Sequence, residues 1–495
     1  MKQTSENSTC IAVDLGAGSG RVIAATCSGE QIELQELHRF DNPGTDIPGG
    51  SYWNILGLYR HVIEGLRVAA GKFGDSITSI GIDTWGCDHG FLGSDGSLLG
   101  LPHQYRDPRS DGMAELMHSL MPEAGIYAFT GIKTNFYNSS LHLLAASRAH
   151  SPQLAAAKQL LFIPDLLAYW LTGVGKVERT IASTSQLLDP HTGEWAWEVI
   201  DALGLPRNIF GEIVAPGTVL GPLRESLAQQ LGLPSVPVVA TACHDTASAV
   251  AGIPKEVGEQ LWLSSGTWSI MGIELNEPVT SPEALALGFC NELGVGGSIR
   301  FLKNICGLWL IQECKRHWEL HGQKLDYATM MVMADSVEPF RAVIDPDDPL
   351  FAAPGDMPEK IRQWCADHGQ SVPDKPGAIL RIITDSIALK YRMVRDNMEK
   401  LTGKSFPRLY AGGGGIQNES LCQATANALG IEVVAGPIEA TSCGNVVTQM
   451  LATGIIASRA EGNEIIRRSF PPKIYQPVDV AAWDSAFLRF RQLCG

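Results

Sequence analysis

"IAVDLGAGSGRVIAA" (Ile11–Ala25) is the stretch on which the fold turns. An apolar run reaches Asp14, small residues follow from Gly16 to Gly20, and a second apolar run starts at Val22. Two strands joined by a Gly/Ser turn fit this pattern. About half a chain length later, "QLWLSSGTWSIMGIE" (Gln260–Glu274) repeats the order of strand, small-residue turn and strand. One such pair can arise by chance. A true echo predicts two similar domains, each presenting a hairpin tip toward a shared cleft, with a break near "AGIPKEVGEQ" (Ala251–Gln260).

The surrounding pattern is one of alternating strands and helices. "ITSIGIDTW" (Ile77–Trp85) reads as a further strand, and "WNILGLYRHVIEGLRVAAGKF" (Trp53–Phe73) carries apolar residues at helical spacing. "LRIITDSIALKYRMVRDNMEKLTG" (Leu380–Gly403) predicts an amphipathic helix with Gly403 as its C-cap. The strand "RLYAG" and the glycine run Gly412–Gly415 come next. Alternation of this kind predicts α/β layering.

Composition bounds the function. The 495 residues are enough for two large domains or three smaller ones, and 45% hydrophobic with 18% charged residues is an ordinary globular balance. A net charge of -15 argues against nucleic acid or an anionic membrane surface as a partner. It leaves room for a phosphorylated ligand held by backbone amides and a metal ion. The start "MKQTSENSTC" lacks the apolar core of a secretory signal. The apolar segment "LAAAKQLLFIPDLLAYWL" (Leu154–Leu171) is interrupted by Lys158, Pro164 and Asp165, against a membrane span. Eleven cysteines, none in a C-x-x-C pair, suggest reduced thiols and a cytoplasmic protein. Nothing in the sequence signals an oligomeric state.

Several motifs combine chemistry with a plainer alternative. In "DLGAGSGR" the carboxylate of Asp14 can hold Mg²⁺ through water while the turn's amides approach an anion; a glycine-rich hairpin is the alternative. "LSSGTWS" (Leu263–Ser269) is a similar turn with hydroxyl donors, Thr267 among them, or simply a turn. The four glycines before Asn418 would let a flat ligand lie against the backbone, and their entropic cost disfavours a purely structural origin. Familiar alternatives fail. Gly403-Lys404-Ser405 lacks the earlier glycine of a phosphate-binding loop, because position 398 is Met398. His317 and His321 sit in "HWELH", which is not a zinc-protease helix motif. No G-x-G-x-x-G or Gly-x-Ser-x-Gly occurs. "VPVVATACHDTASAVAG" (Val236–Gly252) instead runs a β-branched strand straight into Cys243-His244-Asp245. Asp245 there is either a general base or the cap of a helix starting near Thr246.

In combination, "DLGAGSGR", "GIDTWGCD", "YRDPR", "HDTASAV", "LSSGTWS" and "GGGGIQN" resemble the FGGY carbohydrate kinases of the actin-like ATPase superfamily. The resemblance covers about Ile11 to Gly454. It implies two α/β, actin-like (ribonuclease H-like) ATPase domains around a central cleft: residues 8–252 for the sugar and base, 253–495 for the nucleotide. It implies Asp245 as the base that accepts the hydroxyl proton in phosphoryl transfer. Gly86, His244, Thr246 and Asn304 would contact the sugar beside it. Ala17, Gly18, Ser19, Gly20 and Arg21 would cradle the phosphates of ATP, with Asp14 and Asp83 near Mg²⁺. Thr267, Gln312 and Gly414 would hold the nucleotide.

The partner implied is a small-molecule ketose. The stretches "GLPHQYRDPRSDG", "LKNICGLWLIQ" and "IEVVAGPIEATSCGN" are most similar to the branch acting on carbon 1 of L-rhamnulose, with L-fuculose as the nearest alternative. Trp85 and Trp268 would supply a sugar platform, and Trp85 and Phe136 an apolar wall for the methyl group of a 6-deoxy sugar. One departure stands out: His89-Gly90 occupies positions where that branch usually has larger apolar residues, a change bearing on the sugar-pocket wall. An actin-like ATPase that hydrolyses ATP and binds no sugar is the alternative from a different class.

Overall fold

The computed structural model describes residues 8–256 and 260–494. Residues 1–7, which open the polar N-terminus, and 257–259, inside the expected break, lie outside them. Two compact units emerge, neither of them continuous in sequence. The first comprises Met1–Pro254, Glu274–Phe301 and Ala440–Pro471; the second comprises Lys255–Ile273, Leu302–Glu439 and Pro472–Gly495.

The first unit is built on a sheet of order β5-β6-β4-β1-β2-β3. Its strands are β1 (Ser8–Leu15), β2 (Ser19–Ser28), β3 (Gln31–Asp41), β4 (Ile77–Thr84), β5 (Thr218–Pro222) and β6 (Pro237–Ala240). β1 and β2 form the hairpin read from the sequence, and β4 runs parallel to β1. Ile11, Ala12 and Val13 are fully buried, so β1 is covered on both faces. Helix α1 (Ile55–Phe73) buries Leu58, Val62, Leu66 and Ala69, the spacing its sequence predicts, and Asn54 caps it by accepting from the Gly57 N–H.

The second unit repeats the arrangement. Its strands β7 (Leu261–Ser265), β8 (Trp268–Leu275), β9 (Ile299–Cys306), β10 (Arg408–Gly412), β11 (Glu432–Ala435) and β12 (Lys473–Tyr475) run in the order β9-β8-β7-β10-β11-β12. In each unit an antiparallel hairpin (β1–β2, β7–β8) has a parallel strand beside its first member (β4, β10). In each, a second parallel strand (β6, β11) and an antiparallel edge strand (β5, β12) follow. The sequence echo therefore extends to topology. Helix α4 (Pro376–Thr402) ends at Gly403 in the left-handed conformation, with its N–H on the Glu399 carbonyl, as read.

The segment Leu154–Leu171 does not form one helix. It breaks into a short helix, the strand Gln159–Phe162 and a second helix, Ile163–Thr172, with Pro164 in its first turn. Among the described residues no helix is long and apolar enough to cross a membrane.

Two helices of the first unit come into backbone contact. In α2 (Asp245–Gly252) every residue from Thr246 to Gly252 is buried, and all but Val250 are small. It crosses α6 (Ala440–Thr453), which the chain supplies almost two hundred residues later. A Cβ on Gly252 would fall on the Ala440 carbonyl oxygen, and one on Gly444 would fall on the Ser248 carbonyl oxygen. Only hydrogen fits at either position. The contact docks the apolar side of α6 (Cys443, Val446, Val447, Met450) onto Cys10, Ala12 and Ala25 of the sheet.

Gly444→Ala is therefore expected to cost about 3 kcal/mol or more, the upper part of the overpacking range. Gly403→Ala, whose Cβ meets nothing within 4 Å, should cost only the left-handed backbone penalty of roughly 1–2 kcal/mol. Parallel thermal melts of the two variants check the ranking.

Candidate active site

The paired strands β1 and β4 set the first feature. They are parallel with Asp14 opposite Asp83, so two carboxylates stand side by side at adjacent strand ends. Arg21, opposite Asp14 on β2, donates from Nε to Asp14 Oδ2 at 3.1 Å, and Ser442 Oγ donates to the same oxygen at 3.0 Å. Asn445 Nδ2 donates to Asp83 Oδ2 at 2.5 Å. Asp83 Oδ1 is buried with no hydrogen-bond partner among the described residues. Burial, and then the neighbouring Asp14 carboxylate, raise the Asp83 pKa well above the usual range.

An orphaned oxygen beside a second carboxylate is the donor set that a divalent cation would satisfy. Among the described residues no group of three or more His, Cys, Asp or Glu is arranged for a metal. Two carboxylates suit Mg²⁺, which keeps several waters and binds phosphate oxygens. Between β1 and β2, the Gly16 N–H closes the turn onto the Ser19 carbonyl at 2.9 Å. The Ala17 and Gly18 amides donate to no other described group. Of the residues read as a phosphate cradle, Ala17 to Gly20 thus form the hairpin turn and its start, while Arg21 is turned onto Asp14.

The second feature is the extension of β6. Past Ala240 the chain stays extended to His244, tied to the end of β4 by the Thr84 N–H on the Cys243 carbonyl at 2.8 Å. Glu178, fully buried, accepts from the Cys243 N–H at 3.0 Å and from the Thr180 hydroxyl at 2.5 Å. That hydroxyl in turn accepts from the His244 N–H at 3.2 Å. The strand end is therefore held from both sides.

Asp245 opens α2 as its first helical residue, and His244 holds the capping position without a side-chain capping bond. Asp245 Oδ1 accepts from the Thr246 N–H at 2.5 Å and from its hydroxyl at 3.1 Å. His244 Nε2 lies 3.3 Å from the same oxygen. Oδ2 has no donor among the described residues, and the side chain keeps 32% exposure. Desolvation raises the Asp245 pKa; His244 opposes the rise and Asp14 adds to it. The Nδ1 side of His244 faces Glu292 Oε2 and Arg300 Nη2, each at 3.2 Å. Both ring nitrogens therefore already face protein groups, a constraint on the expected contact between His244 and sugar hydroxyls.

The third feature follows β4. Trp85 is only 5% exposed, packed on Trp53 with ring centroids 4.3 Å apart. Both indole N–H groups donate to Asp88 Oδ2, at 2.7 Å from Trp85 and 2.6 Å from Trp53. Burial pushes the Asp88 pKa up to about 7 against these donors. Gly86 precedes Cys87, whose φ of 73° is left-handed and whose N–H is held by the Thr184 hydroxyl at 2.9 Å. His89 opens onto a cavity of about 70 Å³ with Gly90, His103, Arg109 and Gln153. Burial and Arg109 push its pKa down to about 3, so it is neutral. Phe136 is 46% exposed.

The second unit gathers the residues read as nucleotide contacts. At the β7–β8 tip the Thr267 hydroxyl donates to Gln312 Oε1 of α3 (Trp309–Leu320) at 3.1 Å. The Gly266 and Thr267 carbonyls accept the Leu308 and Trp309 N–H groups at 3.0 and 3.1 Å, where α3 begins. β10 pairs with β7, Ser264 opposite Gly412, bringing the glycine run against the hairpin. Gly413 has φ 93°, and a Cβ there would sit 2.7 Å from the Ser265 carbonyl oxygen. A Cβ on Gly415 would fall on the Ser265 hydroxyl, whereas one on Gly414 meets nothing within 4 Å. Gly414 is the open position. Asn304 lies on β9, and Trp268, 48% exposed, opens β8.

Sequence reading missed Ser442, Asn445, Glu178, Glu292, Arg300 and Asp88. Asp88 lies in "GIDTWGCD" and Ser442 and Asn445 in "IEVVAGPIEATSCGN", but no role was read for them. Apart from the bonds of Asp88 to Trp85 and of Glu178 to Thr180, the contacts are tertiary. Asn445 and Gln449 flank one face of α6, and only that i, i+4 spacing of amides in an apolar helix hinted at buried partners.

The family comparison agrees with this geometry. Residues 9–252 match the N-terminal domain, and residues 261–453 the C-terminal domain, of the FGGY family of carbohydrate kinases. The chain is 46% identical over 480 residues to a protein named rhamnulokinase from Bacteroides thetaiotaomicron, covering 97% of this chain and 98% of that one. A rhamnulokinase from Enterococcus faecalis is 38% identical over 483 residues, covering 97% and 96%. In fold the chain is similar to a ligand-bound xylulose kinase from Lactobacillus acidophilus, with TM-score 0.82 at 15% identity, covering 98% and 97%. This chain belongs to the FGGY family of carbohydrate kinases, built on the two-domain actin-like fold with ATP as the phosphate donor.

Asp88 yields a pH prediction. Its folded-state pKa of about 7 exceeds an unfolded value of about 4. The native state then binds more protons between these values, and the Asp88 contribution to stability falls as pH rises through that window. Because both indoles donate to Asp88, tryptophan fluorescence is expected to titrate with a midpoint near that value. The transition should vanish in Asp88→Asn. A wild-type emission flat between pH 5 and 9 would remove the assignment.

Proposed function

We propose that the protein transfers the γ-phosphoryl group of Mg²⁺-ATP to the carbon-1 hydroxyl of L-rhamnulose in the cytoplasm, forming L-rhamnulose 1-phosphate and ADP. The observation that carries the chemistry is Asp245: one oxygen is pinned by Thr246 and faces His244, while the other is free at a rigid strand end. The names of the full-length relatives support the sugar. The absence of any disulfide among the described residues is in keeping with a reducing compartment.

In this reading Asp245 Oδ2 accepts the proton of the sugar hydroxyl as its oxygen bonds to phosphorus and the bond to the ADP oxygen breaks. The raised Asp245 pKa brings the base closer to neutral pH than an ordinary aspartate. Asp14 and Asp83 would hold Mg²⁺, which when bound neutralises phosphate charge. The Ala17 and Gly18 amides of the hairpin turn would meet phosphate oxygens, and Arg21 orients Asp14 through its bond to Oδ2. Gly86, Thr246 and Asn304 would line the sugar, with His244 serving through its hold on Asp245. Thr267, Gln312 and Gly414 would receive the nucleotide. Residues 8–252 would thus carry sugar and base, and 253–495 the nucleotide. Phe136 is the more available apolar surface for the C6 methyl, since Trp85 is almost fully buried.

Two measurements test the proposal. Asp245→Asn should lower kcat by roughly 10²–10⁴-fold, the usual span for losing a general base, with ATP binding retained. In the wild type kcat/KM should fall with acid through a pKa above ~3.9. The same assay, run with L-rhamnulose, L-fuculose, L-xylulose and D-xylulose, should favour L-rhamnulose. An L-fuculose advantage beyond about tenfold, or ~1.4 kcal/mol, would reassign the substrate.

Gly414→Val addresses the nucleotide. The site is open and its backbone is not left-handed, so the variant should fold. It should raise KM for ATP well above any change in KM for the sugar. Equal changes in both would remove Gly414 from the nucleotide floor.

A further inference from the structure

Behind the Asp245 dyad lies a buried charged pair that no step above uses. Arg300 is fully buried, and its Nη2 donates to Glu292 Oε2 at 2.9 Å while its Nε donates to the Leu293 carbonyl at 3.0 Å. Nη1 has no partner. Glu292 is 8% exposed; burial would raise its pKa, but Arg300 and His244 overcome that and hold it at about 2. It is therefore ionised wherever the enzyme works. Both groups meet His244 Nδ1 at 3.2 Å, and the other ring nitrogen looks onto Asp245 Oδ1 at 3.3 Å.

We propose that Glu292 and Arg300 are positioning residues that lock the His244 ring with a proton on Nε2. That N–H then donates to Asp245 Oδ1 and leaves Oδ2 for the incoming hydroxyl. The ring has two protonation states compatible with these neighbours. A neutral imidazole accepts at Nδ1 from Arg300 Nη2 and carries its proton on Nε2. An imidazolium donates from Nδ1 to Glu292 and again carries a proton on Nε2. In the first state the Arg300 donor offsets Glu292 at the bare Nδ1. The third possibility, a neutral ring with a bare Nε2, would set that lone pair against the Asp245 carboxylate with no donor to offset it, and its Nδ1–H against the Arg300 donor. It is disfavoured by charge. The pair thus presents the same donor to Asp245 in either allowed state, with no movement of the ring.

The geometry also explains why two residues are needed. Glu292 alone would draw the proton to Nδ1 and favour the tautomer with a bare Nε2. Arg300 alone would leave a buried cation uncompensated. Together they offer Nδ1 one donor and one acceptor. The substrate proton itself ends on Asp245 Oδ2; the network orients the base and stores no proton. Both residues come from the segment Glu274–Phe301, which the sequence places after the catalytic strand and the fold returns to the first unit.

This inference rests on the reading of Asp245 as the base, and the two can fail separately. Selective ¹⁵N-histidine labelling, with His244 assigned through His244→Gln, reports which ring nitrogen is protonated. The expected result is a protonated Nε2 in the wild type. Glu292→Gln should change the His244 ¹⁵N signals and lower kcat roughly tenfold to a hundredfold, as for outer partners that orient a functional histidine. KM for ATP should stay unchanged. A bare Nε2 in the wild type overturns the inference even if Glu292→Gln fails to fold. A folded Glu292→Gln with wild-type kcat and an unchanged ring spectrum also overturns it. Persistent turnover in Asp245→Asn instead removes the base reading, whatever the ring spectrum shows.

Discussion

The close crossing of α2 and α6 is the constraint from which the first unit's chemistry follows. Backbone meets backbone at Gly252 and Gly444, with no space for a methyl group on either side. Because the helices approach this far, Ser442, Asn445 and Gln449 of α6 reach strands β1 and β4. Ser442 bonds Asp14, Asn445 bonds Asp83, and Gln449 bonds both the Ile11 carbonyl and the Ser79 hydroxyl. A wider crossing would leave two buried carboxylates without these donors, a cost close packing normally prevents.

The same unit concentrates carboxylates that resist ionisation. Asp83, Asp88, Asp165 and Glu178 all have raised pKa values with burial as the first cause. They differ in what compensates them. Glu178 is saturated by N–H and hydroxyl donors that brace the strand end before His244. Asp88 is held by two indoles. Among the described residues Asp83 and Asp165 each combine an orphaned oxygen with a carboxylate neighbour, Asp14 and Glu178 respectively. Asp83 differs from Asp165 in its place, because its neighbour Asp14 stands opposite it across the paired strands β1 and β4.

The second unit solves a different problem with the same topology. Its hairpin tip and glycine run expose backbone, and three of the four glycines divide their roles cleanly. Gly413 and Gly415 are required by contact with Ser265, whereas Gly414 faces open space. A glycine that packing does not demand is one a ligand can demand. Gly414 lies within the stretch that matches the family's C-terminal domain.

The sequence by itself determined the elements and much of the cluster. Alternating β-branched runs and small-residue turns specify the two hairpins, because strand period and turn sterics act over a few residues. Asp14 and Asp245 were legible because each follows an apolar run closely, which is a local feature, whereas Asp83 was legible only through the family resemblance. Tertiary structure alone decided which oxygens are free, which are pinned and what holds them. Asn445 lies more than three hundred and fifty residues from Asp83, and Arg300 more than fifty from His244. No periodicity spans such separations; those contacts exist because the Ala440–Pro471 and Glu274–Phe301 segments return to the first unit. Trp85 shows the limit most clearly. Its residue type suggested a sugar platform, but burial against Trp53 is a property of the packed fold, and it leaves the residue only 5% exposed.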